Sequence, residues 1–397
     1  MRTTRTLTLA TAATLFGATA ASLAGAAPAV AAGPPVSVSA ETVRGALTCR
    51  SAPAPRPLRR PVLLVPGVEG TAEESFSGGL LDALPAKGLD ACALTVPESS
   101  RRSLAPAAEW VVAAVRELDR RSGVGVDVVS HSQGALMTRW ATRWWPDVGA
   151  LVDDHVSLAG PIASSERRSS AGVAAGPRTL AALNRPGLLA PSMDGTAITT
   201  DQDEVVQPAS SAQYPEELEN AASISVQEVC PGRVVDHRGL LFDAAVRALV
   251  LDALLRPGPA AAGAVAGSCA SAPPPTAAFA GLGALLGGGG AAPSEPPLPD
   301  YVASSPDRFG ELALELRPSR LTRTRLKRAL RFVVRVGDRP LRRATVTFGD
   351  DELETNERGE ARMNYKPTRT TTRTVKAVLE GYSPARATLR VVKPKRR

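Results

Sequence analysis

Between Pro61 and Leu255, short apolar runs alternate with segments of helical spacing. In the longest helical segment Trp110, Ala114 and Leu118 recur every four residues, which places them on one helix face. Strand, helix and strand in series predict a parallel sheet covered by helices on both sides. Such a sheet binds ligands at the carboxyl ends of its strands. The predicted strands are residues 61–65, 91–96, 125–130, 155–158 and 224–229, and the predicted helices are residues 104–121, 135–145 and 240–255.

The composition changes after residue 256, where Pro, Gly and Ala dominate. Residues 257–310 are therefore predicted to be a linker, with a short docking helix at 277–286. From residue 311 to residue 397 the pattern has period two, in runs such as LALEL, LRFVVRV and ATVTF. This pattern is typical of an antiparallel β-sandwich, and the sequence resembles bacterial immunoglobulin-like modules. The sequence thus predicts an α/β domain at residues 33–256 and an immunoglobulin-like β-sandwich at residues 311–397.

The first 32 residues have the three-part pattern of a secretory signal peptide. Arg2 and Arg5 precede an apolar run, which ends in small, Ala-rich residues. A membrane anchor is the alternative, but Gly and Thr dilute the run, and no equally apolar stretch of about 20 residues follows. We therefore expect a secreted, extracellular protein.

Four cysteines in an exported chain predict two disulfides, for which three pairings exist. Pairing by proximity in the sequence joins Cys49 to Cys92 and Cys230 to Cys269. A metal site is not expected, because the chain has no C-x-x-C pair and its three histidines are scattered. No cofactor is expected either.

The charge of the chain is divided unevenly. Residues 301–397 contain 24 Lys and Arg against 11 Asp and Glu, a net charge of +13, whereas the whole chain carries +8. The basic C-terminal part is therefore predicted to be a separate module that contacts an anionic surface such as the cell wall or lipid headgroups, binds substrate, or only adds solubility and length. Nucleic acid is not expected as a partner of an exported protein.

The stretch VVSHSQGAL, residues 128–136, has the spacing of a nucleophile elbow. Such an elbow needs small residues two before and two after the nucleophile, because the strand-to-helix turn is tight. Ser130 and Gly134 occupy these positions around Ser132, between a predicted strand and a predicted helix. Ser132 is thus the candidate nucleophile, and the backbone N–H of Gln133 is a candidate oxyanion donor. The alternative is an ordinary turn whose serine caps the helix.

Only one histidine fits the order Ser, acid, His that this type of sheet uses. His131 adjoins the serine, and His155 lies in a predicted strand before any plausible acid. His237 follows the candidate acids and lies between a predicted strand and a predicted helix, so it is the candidate base. The candidate acid is Asp203, and spacing alone does not exclude Asp201, Glu204 or Asp236.

With these residues, the chain resembles the Candida antarctica lipase B-type family of α/β-hydrolases. The shared motifs are LTC at 47–49, PVLLVPG at 61–67, SF at 75–76, SQG at 132–134, DEVVQP at 203–208, QEVC at 227–230 and VDH at 235–237. The resemblance implies an α/β-hydrolase fold, with Ser132 as nucleophile, Asp203 as acid and His237 as base. It also implies the disulfides Cys49–Cys92 and Cys230–Cys269.

Two positions depart from the family pattern. Where the fungal members carry a threonine that serves the oxyanion, this chain has Val68, which keeps the backbone N–H but lacks the hydroxyl. One lost donor costs about 3 kcal/mol of transition-state stabilisation unless Thr71 or water replaces it. His131 stands where the fungal relative has tryptophan, so we expect a different alcohol side of the pocket.

The predicted function is hydrolysis of carboxylic esters by a secreted serine hydrolase. Lipid esters such as triacylglycerols, met at an interface, are the expected substrates of a lipase or esterase acting in lipid degradation. A polyester depolymerase or an acyltransferase is the alternative among enzymes. A non-catalytic exported binding or adhesion protein on an inactive hydrolase fold is the alternative from another class.

Overall fold

A computed structural model describes most of the chain. The residues it describes are 33–51, 57–67, 71–97, 103–162, 177–184, 189–190, 192–207, 209–216, 218–265, 267–272, 297–302, 311–337 and 339–394. The signal peptide predicted at residues 1–32, the docking helix predicted at 277–286 and Val68 lie outside these residues.

A seven-stranded sheet forms the first part of the fold, in the order β1-β3-β2-β4-β5-β6-β7. Every neighbouring pair is parallel except β1 and β3. This is the mostly parallel sheet of the predicted α/β class. The strands are β1 (Leu47–Cys49), β2 (Val62–Val65), β3 (Ala91–Leu94), β4 (Val126–His131), β5 (Val152–Leu158), β6 (Asp194–Thr199) and β7 (Ala221–Ser225).

Helices cover both faces of this sheet. The α-helices are α1 (Ala40–Gly45), α2 (Ala72–Phe76), α3 (Leu80–Ala83), α4 (Leu104–Ser122), α5 (Gln133–Trp144), α6 (Pro146–Leu151), α7 (Pro177–Leu183), α8 (Val226–Val229) and α9 (Ala244–Leu255). Short 3-10 helices lie at Pro85–Lys87, Ala209–Ala212, Gly239–Leu241, Ala262–Val265, Ser268–Ala270 and Asp300–Val302. No helix among the described residues is both long and apolar enough to cross a membrane.

Side chains of β2 show how the sheet buries both faces. Leu63 and Val65 belong to the apolar core on one side, and Val62 and Leu64 belong to the core on the other. All four are fully buried, which explains why the strand is a continuous apolar run rather than an alternating one.

Two disulfides fasten this part of the chain. Cys49 bonds to Cys92, which joins the adjacent strands β1 and β3, and Cys230 bonds to Cys269. Both are the pairs predicted from proximity and from the family resemblance.

The predicted strand at residues 224–229 is wrong in its second half. β7 ends at Ser225, whose hydroxyl accepts a hydrogen bond from the N–H of Gln227, while Glu228 returns a bond to the N–H of Ser225. This capping box starts α8, so the apolar residues after Ser225 are helical. β6 was not predicted, because its sequence DGTAIT lacks an apolar run.

The C-terminal residues form two antiparallel sheets packed face to face. One sheet has the order β11-β10-β14, with β8 also paired to β10, and the other has the order β13-β12-β15-β16-β9. Within the second sheet only the β16–β9 pair is parallel. The strands are β8 (Leu312–Arg317), β9 (Arg320–Thr322), β10 (Arg328–Val336), β11 (Arg339–Pro340), β12 (Thr345–Phe348), β13 (Asp351–Glu354), β14 (Glu360–Tyr365), β15 (Thr371–Val378) and β16 (Ala385–Val392).

The sandwich contacts the amino-terminal ends of β5 and β6. Arg342, only 5% exposed, forms an ion pair of 2.6 Å with Asp194 and donates to the carbonyl oxygens of Ser192 and Asp153, each at 3.0 Å. Arg343 also pairs with Asp194. A cleft of about 580 Å³ lies beside these contacts. Burial acts to lower the pKa of Arg342, but the carboxylates around it raise the pKa above its usual value. The sandwich therefore docks at the amino-terminal ends of the strands, opposite to their carboxyl ends.

Candidate active site

Ser132 lies in a strained turn between β4 and α5. Its φ of 52° and ψ of −125° are rare for any residue with a Cβ atom. Gly134 allows the turn, because a Cβ atom there would lie 2.5 Å from the carbonyl oxygen of Val65. The predicted strand, turn and helix around Ser132 are therefore present, and the residue two after the serine has to be glycine.

Asp203 and His237 form a buried hydrogen-bonded pair. Oδ2 of Asp203 lies 2.8 Å from Nδ1 of His237. The other carboxylate oxygen accepts the backbone N–H groups of Val205 and Val206, at 2.8 and 2.7 Å. Because a carboxylate only accepts, Nδ1 carries the proton, and Nε2 of a neutral imidazole remains as the basic nitrogen.

The three rival acids make other bonds. Asp201 accepts the hydroxyl of Ser225 at 2.9 Å, and Glu204 accepts the backbone N–H of His237 at 3.1 Å. Asp236 accepts the backbone N–H of Gly239 at 2.6 Å. Of the four candidates, the structure brings the carboxylate of Asp203 to the His237 ring.

The serine turn and the histidine loop meet through His131. The ring centroids of His131 and His237 are 4.7 Å apart, and Nε2 of His131 lies 3.0 Å from the carbonyl oxygen of His237. Among the described residues, no hydrogen bond joins Ser132 Oγ to His237. Such a bond is often long or misaligned before substrate binds.

Comparison with known proteins gives two informative similarities. No family model matches the chain. Lipase B from Pseudozyma antarctica is 29% identical over 214 residues, which are 49% of this chain and 61% of that protein. The crystal structure of lipase B from Aspergillus fumigatus aligns with a TM-score of 0.55 at 24% identity, over 62% of this chain and 64% of that one.

The chain has the α/β-hydrolase fold and is similar in sequence to lipase B. It spans less than two thirds of the length of either of these relatives. The predicted fold class is confirmed by the parallel sheet and by the separate antiparallel sheets that follow it.

The candidate oxyanion donor Gln133 and the loop after β2 lie beside Ser132. Gln133 opens α5, so its backbone N–H lies at the positive end of the helix dipole. A Cβ atom on Gly67 would lie 3.2 Å from Ser132 Cβ, so the loop after β2 passes directly beside the serine. The Thr71 hydroxyl accepts the N–H of Glu74 at 3.3 Å as the cap of α2. Thr71 thus has a structural partner of its own, and Val68 lies outside the described residues.

His131 has a fixed protonation state in this site. Its Nε2 must donate, because the His237 carbonyl oxygen to which it bonds accepts only. Burial, and then the nearby His237, lower the pKa of His131 to about 3. His131 is therefore neutral at physiological pH, with the lone pair of Nδ1 on the side of Gly67.

Two buried groups near the candidate site were not predicted as functional. Beneath the serine turn, His155 Nε2 lies 2.7 Å from Ser130 Oγ, and burial lowers the pKa of His155 to about 3. Arg139 donates to the carbonyl oxygens of Ile162 and Leu183, at 2.9 and 3.3 Å, which ties α7 to α5. The sequence signal for Arg139 is its place on the same helix face as the buried residues Leu136 and Ala135, which lie three and four before it.

The loop that carries His237 is tethered on both sides. Upstream, Cys230 is bonded to Cys269. Buried Arg233 donates to Asp243 at 2.7 Å and to the carbonyl oxygens of Cys269 and Ser271, at 3.1 and 2.8 Å. The position of the imidazole is therefore fixed by groups well outside the pair that it forms with Asp203.

Proposed function

We propose that the chain is a serine hydrolase of carboxylic esters, with Ser132 as nucleophile, His237 as base and Asp203 as the acid that orients it. The 2.8 Å bond between Asp203 and His237, next to a serine at a positive φ, is the observation that supports this most strongly. The relation to two proteins named lipase B adds the chemistry of ester cleavage.

In the proposed reaction, Nε2 of His237 takes the hydroxyl proton of Ser132 as Oγ attacks the ester carbonyl. Asp203 stays ionised and stabilises the imidazolium, while two backbone N–H groups hold its second oxygen in place. The negative charge that develops on the carbonyl oxygen is received by the backbone N–H groups of Gln133 and Val68. The imidazolium then protonates the leaving alcohol, and water cleaves the acyl-enzyme with the same roles.

The proposed substrates are lipid esters, including triacylglycerols, met at an interface. The names of the relatives support this class. We further propose that the protein acts outside the cell, after removal of residues 1–32. The two disulfides agree with an oxidising compartment. Residues 33–256 are the proposed catalytic domain, residues 257–310 the linker and residues 311–397 the accessory sandwich.

The test is turnover of p-nitrophenyl butyrate by the purified chain and by Ser132→Ala. We expect kcat to fall by about 10⁴-fold or more, because the nucleophile is lost while the fold remains. Ser103→Ala is the matched control, since Ser103 precedes α4 as Ser132 precedes α5 and makes no capping bond. Its kcat should equal that of the parent chain. Equal turnover by parent and Ser132→Ala would refute Ser132 as the nucleophile, and absence of turnover by the parent would favour a binding or adhesion protein on an inactive hydrolase fold.

A substrate panel then defines the reaction. Esters from acetate to long-chain triacylglycerol separate an esterase from a lipase. A polyester film and an added alcohol acceptor test for depolymerase and acyltransferase activity. Highest activity on long-chain emulsions is the expected result, and activity confined to acetate esters would contradict the lipid assignment.

A further inference from the structure

The two outer faces of the sandwich differ in whether their basic side chains form ion pairs with acidic side chains. On the β8–β10–β14 face, Arg317 pairs with Glu315, while Arg331 and Arg362 both pair with Glu360, Arg362 at 2.9 Å. This face carries arginines but neutralises them locally.

On the other face four basic side chains have no such partner. The register places Lys376 opposite Arg386, and Arg390 opposite both Thr372 and Arg320. All four cations are exposed, and within the described part of the chain none of them forms an ion pair. We call Arg320, Lys376, Arg386 and Arg390 the basic face.

On the strands of this sheet, the acids of β13 are two strands away from β15. Glu352 and Glu354 lie on β13, and β12 separates them from β15 with threonines at its outward positions. One strand spacing is about 4.8 Å, so these carboxylates lie on the order of 10 Å from Lys376. The sheet surface is therefore basic at its β16–β9 edge and acidic at its β13 edge.

The basic face has a linear arrangement. Arg386 and Arg390 are four residues apart along β16, which is about 13 Å. Thr374 and Thr388 are paired between them and are also exposed. A cation pair, a hydroxyl pair and a second cation pair thus follow one another along the strand, at steps of about 6 to 7 Å.

We propose that the basic face binds a linear, phosphate-bearing polyanion that lies along β16. Arginine forks bind phosphate oxygens in a bidentate manner, and threonine hydroxyls donate to the group between them. The net charge of +13 on residues 301–397 attracts such a polymer over a longer range. This binding is independent of ester hydrolysis.

The form of the face favours a polymer over a bilayer. The exposed large apolar side chain of the described sandwich, Leu326, lies in the connection between β9 and β10 and outside the face. A bilayer-binding surface normally adds apolar side chains that enter the lipid. The basic face also takes no part in the contact between the sandwich and the α/β part of the chain. That contact is made by Arg342, Arg343 and Tyr382.

The experiment measures binding of long-chain inorganic polyphosphate to the full chain by fluorescence anisotropy. The test variant is Arg320→Gln, Lys376→Gln, Arg386→Gln and Arg390→Gln combined. The matched control carries Arg317→Gln, Arg331→Gln, Arg335→Gln and Arg362→Gln, which removes the same charge from the other face. We expect Kd to rise about 30-fold or more in the test variant and less than about 3-fold in the control, with affinity falling as salt rises. Equal losses in both variants would overturn the proposal.

Two further ligands test the chemistry of the partner. Poly-glutamate of the same charge should bind at least about 10-fold more weakly than polyphosphate, and equal binding would overturn the phosphate assignment. Vesicles of anionic phosphatidylglycerol should bind no better than poly-glutamate, and tighter binding than polyphosphate would overturn the polymer in favour of a membrane. Ser132→Ala should bind polyphosphate as the parent does, so failure of the proposed hydrolysis leaves this test unaffected.

Discussion

The carboxyl ends and the amino ends of the parallel strands, here called the carboxyl edge and the amino edge of the sheet, both bury carboxylates. The two edges balance the negative charge of these carboxylates in different ways. At the carboxyl edge a single carboxylate, Asp203, bonds to the imidazole of His237 through Nδ1. The second ring nitrogen, Nε2, is the one proposed to act as the base. At the amino edge Asp127, Asp153, Asp154 and Asp194 lie close to one another and face arginines. One arginine comes from the α/β part of the chain, Arg60 at 2.7 Å from Asp153, and two come from the sandwich. Under the proposed function, one edge serves proton transfer, whereas the other holds the sandwich against the α/β part of the chain.

The largest expected effect tests the carboxyl edge. Asp203→Asn should lower kcat for p-nitrophenyl butyrate by about 10⁴-fold, because the amide no longer fixes the tautomer or stabilises the imidazolium. The unfolding midpoint in urea should change little. Asp201→Asn is the control and should keep kcat within about 10-fold, since Asp201 bonds to Ser225 and not to the imidazole. Similar losses in the two variants would mean that the acid has been misassigned.

The second effect tests the amino edge. Arg342→Met should lower the free energy of unfolding by about 3 kcal/mol, because it removes one of the two cations that pair with buried Asp194. At 25 °C, kcat of the folded variant should be unchanged. Urea denaturation and ester turnover on the same samples check both statements. Arg390→Met, an exposed position of the sandwich, should stay within about 0.5 kcal/mol of the parent. A large fall in kcat for Arg342→Met would show that the two edges are coupled.

The third effect is a pH dependence at the amino edge. Burial, opposed by Arg60, raises the pKa of Asp127 to about 7, and burial also raises the pKa of Asp154. A raised pKa means that the folded chain holds a proton which the unfolded chain has lost, so this contribution to stability is complete below pH 3.8 and is lost as pH rises through about 7. Asp127→Asn mimics the protonated form. It should be more stable than the parent by about 2 to 4 kcal/mol at pH 8 and nearly equal to it at pH 4.

Urea denaturation at the two pH values gives this comparison. Asp350→Asn, at an exposed turn of the sandwich, should show no such difference. If the free energy of unfolding of the parent changes between pH 4 and pH 8 by the same amount as that of Asp127→Asn, the role of Asp127 is contradicted.

Much of the hydrolase fold follows from local sequence, whereas the docking edge does not. The elbow around Ser132 was predictable because strand, small residues and helix are contiguous. β6 was missed because its burial comes from its neighbours β5 and β7, and Gly195 packs so closely that a Cβ atom would lie 2.5 Å from Leu189. Spacing left four acids open, since the choice depends on how two distant loops fold toward each other. Arg342 looks like one more surface arginine, and only the docked arrangement of domains buries it.

The tether on the histidine loop has a consequence for how the protein matures. Cys230–Cys269 and Arg233 lie just upstream of His237, on a segment that the parallel sheet does not otherwise restrain. A chain that has folded before this bond is made has its core but lacks a firmly placed base. Under the proposed function, catalytic competence would therefore follow oxidation of this cysteine pair rather than folding alone, and an exported chain would gain it only in the oxidising compartment.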